Sequence, residues 1–361
     1  MTAPGEPAAP SPSPVRAWRG RRRPAAPSAR VTNLTLFAVL IVAFGTGAGA
    51  TATGSERGRW IVIAHGVAGM AVILLIPWKG RVVRAGLRRA RRTRWLSLLL
   101  AALAVTTVLL GLGYSSGVLR SVGGIDGMWL HVAIALALIP LILWHLVARW
   151  TRPRKTDLSR RVFMRTGALG LASAGLYLAS ASVATVAGLP GTRRRFTGSY
   201  ERGSFDPAAM PNTIWLDDTP PRVDADTWRL TVVDRAGSYN VSLAELRDRV
   251  TTVRATLDCT SGWFAHQDWT GIPVPDLIRE VGHARSLLVH SVTGYWIRLP
   301  VHDLDTLLLA TAVGGEPLTR GHGYPLRLVA PNRRGFWWVK WVDRIELQDT
   351  PWWWQPPFPV T

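Results

Sequence analysis

The sequence predicts two consecutive units: an α-helical membrane bundle of five spans at residues 31–188, and an α+β, mainly β, domain at residues 189–361. Three observations lead to this prediction. The first unit holds five apolar runs, each close to the ~20 residues that cross a ~30 Å hydrocarbon core. Basic residues are concentrated at alternate ends of these runs, as in membrane bundles generally. The second unit holds short β-branched and aromatic runs between turn residues, which is typical of strands.

The apolar runs are predicted to be the membrane helices. They cover residues 31–53, 60–78, 95–116, 128–147 and 166–189. Five buried helices of this length and apolarity are not expected in a soluble protein. The first unit is therefore predicted to lie in membrane lipid.

The distribution of charge predicts how the bundle is oriented. Lys and Arg cluster in three segments, residues 1–30, 79–94 and 149–165, which together hold 21 basic residues against two acidic ones. The alternate loops, 54–59 and 117–127, hold three Arg against two acidic residues. Because basic loops stay in the cytoplasm, the N-terminus is predicted inside and the second unit outside.

The two ends of the chain differ in composition. Residues 1–30 are rich in Pro, Ala, Ser and Arg and are predicted to form a disordered cytoplasmic tail. Residues 189–361 hold 19 basic and 19 acidic residues, so the net charge of +20 comes from residues 1–188, the tail and the membrane unit together. The second unit has no basic excess with which to neutralise phosphates, and nucleic acid is excluded as a partner.

A short motif precedes the fifth apolar run. Residues 159–165 read Ser-Arg-Arg-Val-Phe-Met-Arg and lead into a modest, Gly/Ala-rich stretch. This resembles a twin-arginine export signal, in which two arginines precede a weakly hydrophobic segment. The alternative is a basic segment that only retains the loop inside. Twin-arginine export moves folded proteins, so an export role implies that the outer domain carries a cofactor.

The second unit is predicted to contain seven strands and three helices. The strands are expected at residues 228–234, 239–242, 253–259, 286–292, 296–300, 325–330 and 337–347. The helices are expected at residues 242–250, 273–282 and 302–313. Ser242 and Glu245 have the spacing of a capping box for the first helix.

Cys259 is the one cysteine in the chain. A lone cysteine excludes an internal disulfide, a CxxC redox pair, a thiolate zinc cage and a cysteine-ligated iron–sulfur cluster. It leaves an inert buried thiol, a nucleophile, or a soft ligand to a metal held mainly by something other than protein. The chain has no GxGxxG after a strand, no phosphate loop and no HExxH, so nicotinamide, nucleotide-hydrolysing and metalloprotease functions gain no support.

Seven segments follow one another over most of residues 200–350. They are Arg229-Leu-Thr-Val, Ser242-Leu-Ala-Glu-Leu, Thr256-Leu-Asp-Cys-Thr-Ser-Gly-Trp, Trp269-Thr-Gly-Ile-Pro-Val-Pro-Asp-Leu-Ile, His290-Ser-Val-Thr-Gly-Tyr, His322-Gly-Tyr-Pro-Leu-Arg-Leu-Val-Ala-Pro and Val339-Lys-Trp-Val-Asp-Arg-Ile-Glu-Leu. Together they resemble the sulfite-oxidase-type molybdopterin domain. The resemblance implies that the Cys259 thiolate ligates molybdenum beside the pterin sulfurs, and that the molybdenum–molybdopterin cofactor transfers oxygen atoms.

The same resemblance implies which residues contact the cofactor. They are Asn212, Trp215, Cys259, Thr293, His322, Arg327, Trp338, Val339 and Lys340. Asn212 and Trp215 match an Asn-x-x-Tyr pair with Trp in place of Tyr. The alternatives are an ordinary turn residue at Asn212 and surface charges at Arg327 and Lys340.

The chain departs from sulfite oxidases proper at the positions that face an anionic substrate. Where those enzymes carry arginines, this chain has Ile-Trp-Leu-Asp-Asp at residues 214–218 and Thr-Ser-Gly-Trp at residues 260–263. Loss of these cations removes the attraction for a dianion, and the chain resembles more closely the bacterial periplasmic branch that reduces sulfoxides. The candidate residues of the substrate pocket are Asp217, Asp218, His266, Tyr295 and Arg333.

Three histidines lie inside the predicted spans. His65 and His131 are at similar depth near the outer face, and His145 follows His131 by fourteen residues, or ~21 Å of helix. Intramembrane histidines are costly and usually functional. Their placement resembles that in membrane cytochromes b and predicts one haem b held by His65 and His131. The alternative is a pair of histidines that only form hydrogen bonds.

These features predict a membrane-bound molybdenum oxidoreductase that acts on a small-molecule or protein sulfoxide outside the membrane. Electrons are expected from the quinone pool or another membrane donor, through the bundle. One alternative is a sulfite-oxidase-like enzyme whose spans only anchor the domain and dock an electron carrier. Another is a membrane sensor whose domain has lost its cofactor.

Overall fold

The computed structural model describes residues 27–88, 93–149, 154, 159–214 and 219–356. Among these residues, five helices are long and apolar enough to cross a membrane. They are α1 Ala29–Ala52, α2 Arg59–Leu87, α3 Arg94–Ser116, α4 Gly127–Ala148 and α5 Arg160–Val186. The predicted five-helix unit is confirmed. Helix α5 begins six residues before the predicted run, so the arginines of the 159–165 motif form its first turn.

The five helices pack as two hairpins and one added helix. Helix α1 packs on α2, α3 packs on α4, and α5 packs on α2. The loop between α3 and α4 carries two short paired strands, β1 Ser121–Val122 and β2 Ile125–Asp126. The Asp126 carboxylate accepts a hydrogen bond from the Met128 N–H (2.8 Å) and caps the start of α4.

In its described residues, 189–214 and 219–356, the second unit contains two sheets and one short α-helix, α6 Leu243–Asp248. The strands are β3 Tyr200–Glu201, β4 Arg229–Asp234, β5 Gly237–Ser242, β6 Thr251–Asp258, β7 Trp263–Pro273, β8 Ser286–Ser291, β9 Trp296–Pro300, β10 Leu308–Val313, β11 Glu316–Pro317, β12 Arg327–Val329 and β13 Val342–Gln348. One sheet has the strand order β5–β4–β13–β8–β9. The other has the order β11–β10–β7–β3, and in it β12 also pairs with β10 and β6 also pairs with β7. The expected α+β, mainly β, class is confirmed.

Two of the three predicted helices of this unit are wrong. Residues 273–282 and 302–313 form only the 3₁₀ turns Val274–Leu277 and Val301–Thr306, and the second region continues as β10. Strand β10 is buried almost throughout and pairs with both β7 and β12. A short run that is apolar on both faces has no period that separates a strand from a helix.

A single hydrophobic core lies between the two sheets. Leu230, Leu287 and Ile345 of the first sheet belong to the same buried cluster as Trp269 and Leu309 of the second, and none of these five side chains is exposed. Truncation of such a residue to alanine costs about 2–5 kcal/mol. The core therefore holds the ends of β6, β7 and β13 at fixed positions relative to one another.

The β domain rests on the ends of α1 and α3. The Gly54 N–H, just beyond α1, donates to the Asn332 carbonyl (3.1 Å). In the last turn of α3, the Ser115 carbonyl accepts a hydrogen bond from Arg194 Nε (2.9 Å). A Cβ on Gly191 would lie 2.1 Å from the Ser115 oxygen, so this approach requires glycine. The loops after α1 and α3 thus face the same side of the bundle as the domain.

Candidate functional site

Cys259 lies in a tight turn between β6 and β7. The two strands pair up to Asp258 and Phe264, and the Cys259 N–H donates to the Trp263 carbonyl (2.8 Å). Gly262 has a φ of +91°, a conformation that glycine adopts without strain. The thiol is 8% exposed, and its Sγ lies 3.1 Å from the Ser261 hydroxyl.

The thiol faces a pocket that is open to solvent. Six residues predicted as site residues line it: Cys259, Thr293, Tyr295, Trp338, Val339 and Lys340. The other lining residues are Trp129, Thr213, Ile214, Thr260, Ser291, Gly335, Phe336 and Trp341. The structure thus brings together segments that are far apart in the sequence.

Lys340 connects three of these segments. Its Nζ donates to Asn212 Oδ1 (2.8 Å), to the Thr213 carbonyl (2.9 Å) and to the Gly321 carbonyl (2.6 Å). A Cβ on Gly321 would lie 1.6 Å from Asn212 Nδ2, so a glycine is needed for Asn212 to reach the lysine. Asn212 therefore meets the site through Lys340.

Arg327 is a buried cation behind the pocket. It is 3% exposed, and its guanidinium stacks on the rings of Trp269 and Trp338, with centroid distances of 5.2 and 5.8 Å. One Nη donates to the His322 carbonyl (3.1 Å), but Nε has no partner among the described residues. Burial lowers the pKa of Arg327 to about 10, so the side chain is still charged at neutral pH.

His322 is buried and neutral beside this cation. Burial, together with Arg327 and Lys340, lowers the pKa of His322 to about 4. Its Nε2 donates to the Met210 carbonyl (3.2 Å), so Nδ1 is the atom that accepts from the Thr319 hydroxyl (3.0 Å). The Arg327–His322 pair therefore carries one buried positive charge, not two.

Comparison with known proteins assigns this region to a family. Residues 217–354 match the oxidoreductase molybdopterin binding domain family. The second unit is a molybdopterin-binding oxidoreductase domain. Such a domain implies an enzyme, and molybdopterin is its cofactor.

The relatives overlap with the chain over part of their length. The chain is 33% identical over 107 residues to the uncharacterized oxidoreductase YuiH of Bacillus subtilis (strain 168), which is 27% of this chain and 54% of that protein. It is 27% identical over 165 residues to mitochondrial sulfite oxidase of Homo sapiens, 36% of this chain and 30% of that protein. Sulfane dehydrogenase SoxCD from Paracoccus pantotrophus matches with a TM-score of 0.35 and 23% identity, over 36% of this chain and 40% of that chain. The chain spans about half or less of the length of these proteins.

The turn of the molybdopterin domain that carries Cys259 is held by a buried ion pair that the sequence analysis missed. Asp258 accepts from the hydroxyls of Thr197 (2.7 Å) and Ser199 (2.6 Å) and pairs with Arg334 (3.0 Å). Arg334 also donates to the Cys259 carbonyl (3.0 Å). Loss of one partner from a buried pair costs about 3–5 kcal/mol, so this network fixes the cysteine backbone. In the sequence, the sign of this ion pair is Asp258, the acidic residue directly before Cys259.

Several predicted site residues lie elsewhere. His266 forms a hydrogen bond with the Thr256 hydroxyl (2.7 Å) and stacks on Phe205, and it does not line the pocket. Arg333 pairs with Asp303 (2.6 Å) next to the end of α1.

Burial raises the pKa of Tyr295, which does line the pocket and donates to the Phe336 carbonyl. Three predicted site residues, Trp215, Asp217 and Asp218, lie outside the described residues, as does most of the predicted 1–30 tail.

The membrane unit approaches the pocket of the molybdopterin domain at two points. Trp129 of α4 is one of the pocket-lining residues, and nothing in the sequence connects it with Cys259. Tyr114 of α3 donates to the Gly262 carbonyl (3.1 Å) in the turn that follows Cys259. The pocket therefore lies against the end of the helical bundle.

His65 and His131 face each other inside the bundle. Their ring centroids are 6.0 Å apart, and their planes are inclined by 84°. Each Nδ1 lies 2.9 Å from a backbone carbonyl of the preceding helix, Ala43 for His65 and Thr107 for His131. His145 lies further along α4, and its Nδ1 has no hydrogen-bond partner among the described residues.

Proposed function

We propose that the chain is a membrane-bound molybdenum oxidoreductase that reduces neutral sulfoxides outside the membrane with electrons supplied through its helices. The observation that carries the proposal is the single thiol of Cys259, which opens into a pocket at the end of the bundle. Reduction of a sulfoxide consumes two electrons and two protons and releases a thioether and water. Oxygen-atom transfer is the chemistry that the molybdenum cofactor supplies when bound.

The residues around the pocket fit this cofactor. Cys259 supplies a soft sulfur ligand of the kind that such a metal takes. Arg327 is a buried cation whose Nε has no partner among the described residues. A buried charge needs an opposite charge or a hydrogen-bond acceptor, so the anionic and acceptor atoms of a molybdopterin suit this position. Retention of both groups argues against a sensor that has lost its cofactor.

The lining of the pocket favours a neutral substrate over sulfite. Trp129, Ile214, Phe336 and Trp341 are apolar or aromatic, and among the described lining residues Lys340 is the one basic or acidic side chain. The Lys340 ammonium already donates to three oxygens. A dianion gains little attraction from such a wall, whereas a small aryl or alkyl sulfoxide can pack against it.

A paired assay separates the two substrates. With a reduced viologen dye as donor, the purified protein is expected to oxidise the dye when methyl phenyl sulfoxide is added. With an oxidised dye as acceptor, sulfite is expected to give a much lower rate. A sulfite-driven rate above the sulfoxide-driven rate would favour the sulfite-oxidase-like alternative.

We also propose that His65 and His131 hold one haem b. A metal–imidazole bond is about 2 Å long, and the bound nitrogen lies about 1 Å from the centre of its ring. Two imidazoles on opposite sides of one metal would therefore have ring centres about 6 Å apart. The observed separation of the two ring centroids is 6.0 Å. Because each Nδ1 faces a carbonyl, each Nε2 is left to bind iron, an arrangement typical of ligating histidines. A haem held by these two histidines would supply one-electron transfer from the quinone pool or another membrane donor.

The motif at residues 159–165 supports export of a folded outer domain. Arg160 and Arg161 are the first two residues of α5, and both are exposed. Cations are unfavourable at a helix N-terminus, so helix stability does not account for the pair. We propose that the twin-arginine machinery recognises it, with the N-terminus inside and the molybdopterin domain outside.

The charge-preserving change Arg160→Lys with Arg161→Lys tests this export. The double variant keeps the positive charge, so it should keep the orientation of the helices but lose export of the domain. Protease added to spheroplasts should then no longer reach the domain. Arg81→Lys with Arg84→Lys, in another basic segment, is the matched control and should leave the domain exposed. Normal exposure in the Arg160/Arg161 variant would show that the pair serves only as basic charge.

A further inference from the structure

The end of α3 reaches the turn that carries Cys259. The Tyr114 hydroxyl donates to the Gly262 carbonyl (3.1 Å), and the tyrosine is 4% exposed. A Cβ on Gly262 would lie 2.2 Å from this hydroxyl oxygen, so glycine is required at the contact. The Gly262 N–H in turn donates to the Cys259 carbonyl (3.2 Å). A membrane helix is thus two hydrogen bonds away from the cysteine.

Tyr114 is held in this position from both sides. The Tyr200 hydroxyl donates to the Tyr114 carbonyl (2.8 Å), and the two rings meet edge to face with centroids 5.5 Å apart. A Cβ on Gly127 would lie 3.0 Å from the Tyr114 ring. Two tyrosine hydroxyls therefore connect the bundle and the domain. The Tyr114 hydroxyl, from the bundle, donates to the cysteine turn, whereas the Tyr200 hydroxyl, from the domain, donates to the backbone of α3.

The same helix also contacts the paired histidines. The Thr107 carbonyl lies 2.9 Å from His131 Nδ1, and a Cβ on Gly111 would lie 3.1 Å from the His131 ring. Thr107 precedes Tyr114 by seven residues, about 10 Å along one face of an α-helix. Helix α3 therefore contacts His131 at one point and the Cys259 turn at the other.

We propose that Tyr114 is the electron-transfer link between the histidine pair and the cysteine turn. The route runs from the His131 imidazole to the Thr107 carbonyl, along α3 to Tyr114, and through Gly262 to Cys259 by the hydrogen bonds given above. With haem and the molybdenum cofactor bound, this path would carry single electrons from the histidine pair to the cysteine turn, and no bond would be made or broken in the tyrosine. The proposal rests on the haem and molybdenum assignments of the proposed function.

The test compares Tyr114→Phe with Tyr200→Phe in the full-length holoprotein. Each variant loses one bridging hydroxyl and keeps the aromatic pair, so the two are matched. The measurement is the rate at which reduced haem is reoxidised after methyl phenyl sulfoxide is added in a stopped-flow spectrometer. Tyr114→Phe is expected to slow this rate about tenfold or more, as for loss of an outer-shell contact to a metal ligand, and Tyr200→Phe should stay close to the wild type.

Three controls distinguish a link from a purely structural role. Molybdenum content, the haem band and dye-driven sulfoxide reduction should be unchanged in Tyr114→Phe, because the dye delivers electrons without the bundle. A parallel fall in the dye-driven rate would show that Tyr114 only holds the turn, and would overturn the link. Equal rates of haem reoxidation in both variants would overturn the link but would leave the haem and molybdenum assignments standing. Wild-type protein without a haem band would overturn the haem assignment and the link with it.

Discussion

Replacement of Cys259 by alanine is expected to abolish turnover while the domain stays folded. The thiol supplies the sulfur ligand in the pocket, and alanine has no atom that binds a metal. The backbone of the turn is held by Arg334, Ser199 and Gly262, none of which contacts the lost sulfur. The stability cost should therefore stay near the typical ~1 kcal/mol of a point substitution. Molybdenum content, sulfoxide reduction and thermal unfolding are the three measurements.

Ser261→Ala is the control for this change. The Ser261 hydroxyl lies 3.1 Å from the Cys259 sulfur, so the variant alters the surroundings of the thiol without removing it. It should retain molybdenum, about one per chain as in the wild type, and most of the turnover. Full activity in Cys259→Ala would refute the role of the thiol as metal ligand.

Replacement of either His65 or His131 by alanine is expected to remove the haem absorbance band. A six-coordinate b haem gives a sharp band in the reduced-minus-oxidised spectrum, and it needs both axial imidazoles. Electron delivery from membrane quinol should then fail. Reduction of sulfoxide driven by a dye should persist, because Cys259 and its pocket are untouched. This combination separates an electron-carrying bundle from a passive anchor.

His145→Ala is the matched control within the bundle. His145 shares α4 with His131, but its ring meets that of Trp144 edge to face, with centroids 6.1 Å apart, and no described histidine faces it. The haem band should persist in this variant. Wild-type protein that lacks a haem band despite adequate haem supply would leave the five helices as anchor and docking surface.

Much of this molecule follows from local patterns in the sequence. The five apolar runs have the length of membrane spans, and the observed helices differ from them mainly at the end of α2, which continues to Leu87, and at the start of α5. Ser242 and Glu245 form the predicted capping box. Cys259 and Lys340 were predicted from short motifs and line the same pocket. Such features depend on residues a few positions apart, and their periodicity or spacing is visible in one sequence.

Other features exist only once the chain has folded. Tyr114 and Gly262 are 148 positions apart, and neither has a pattern that points to the other. Trp129 lines the pocket because α4 begins beside the domain. The run at β10 is buried on both faces by its neighbours, so its own residues do not distinguish strand from helix. These contacts arise from packing between distant segments, and the free energy of that packing depends on three-dimensional neighbours that no local pattern contains.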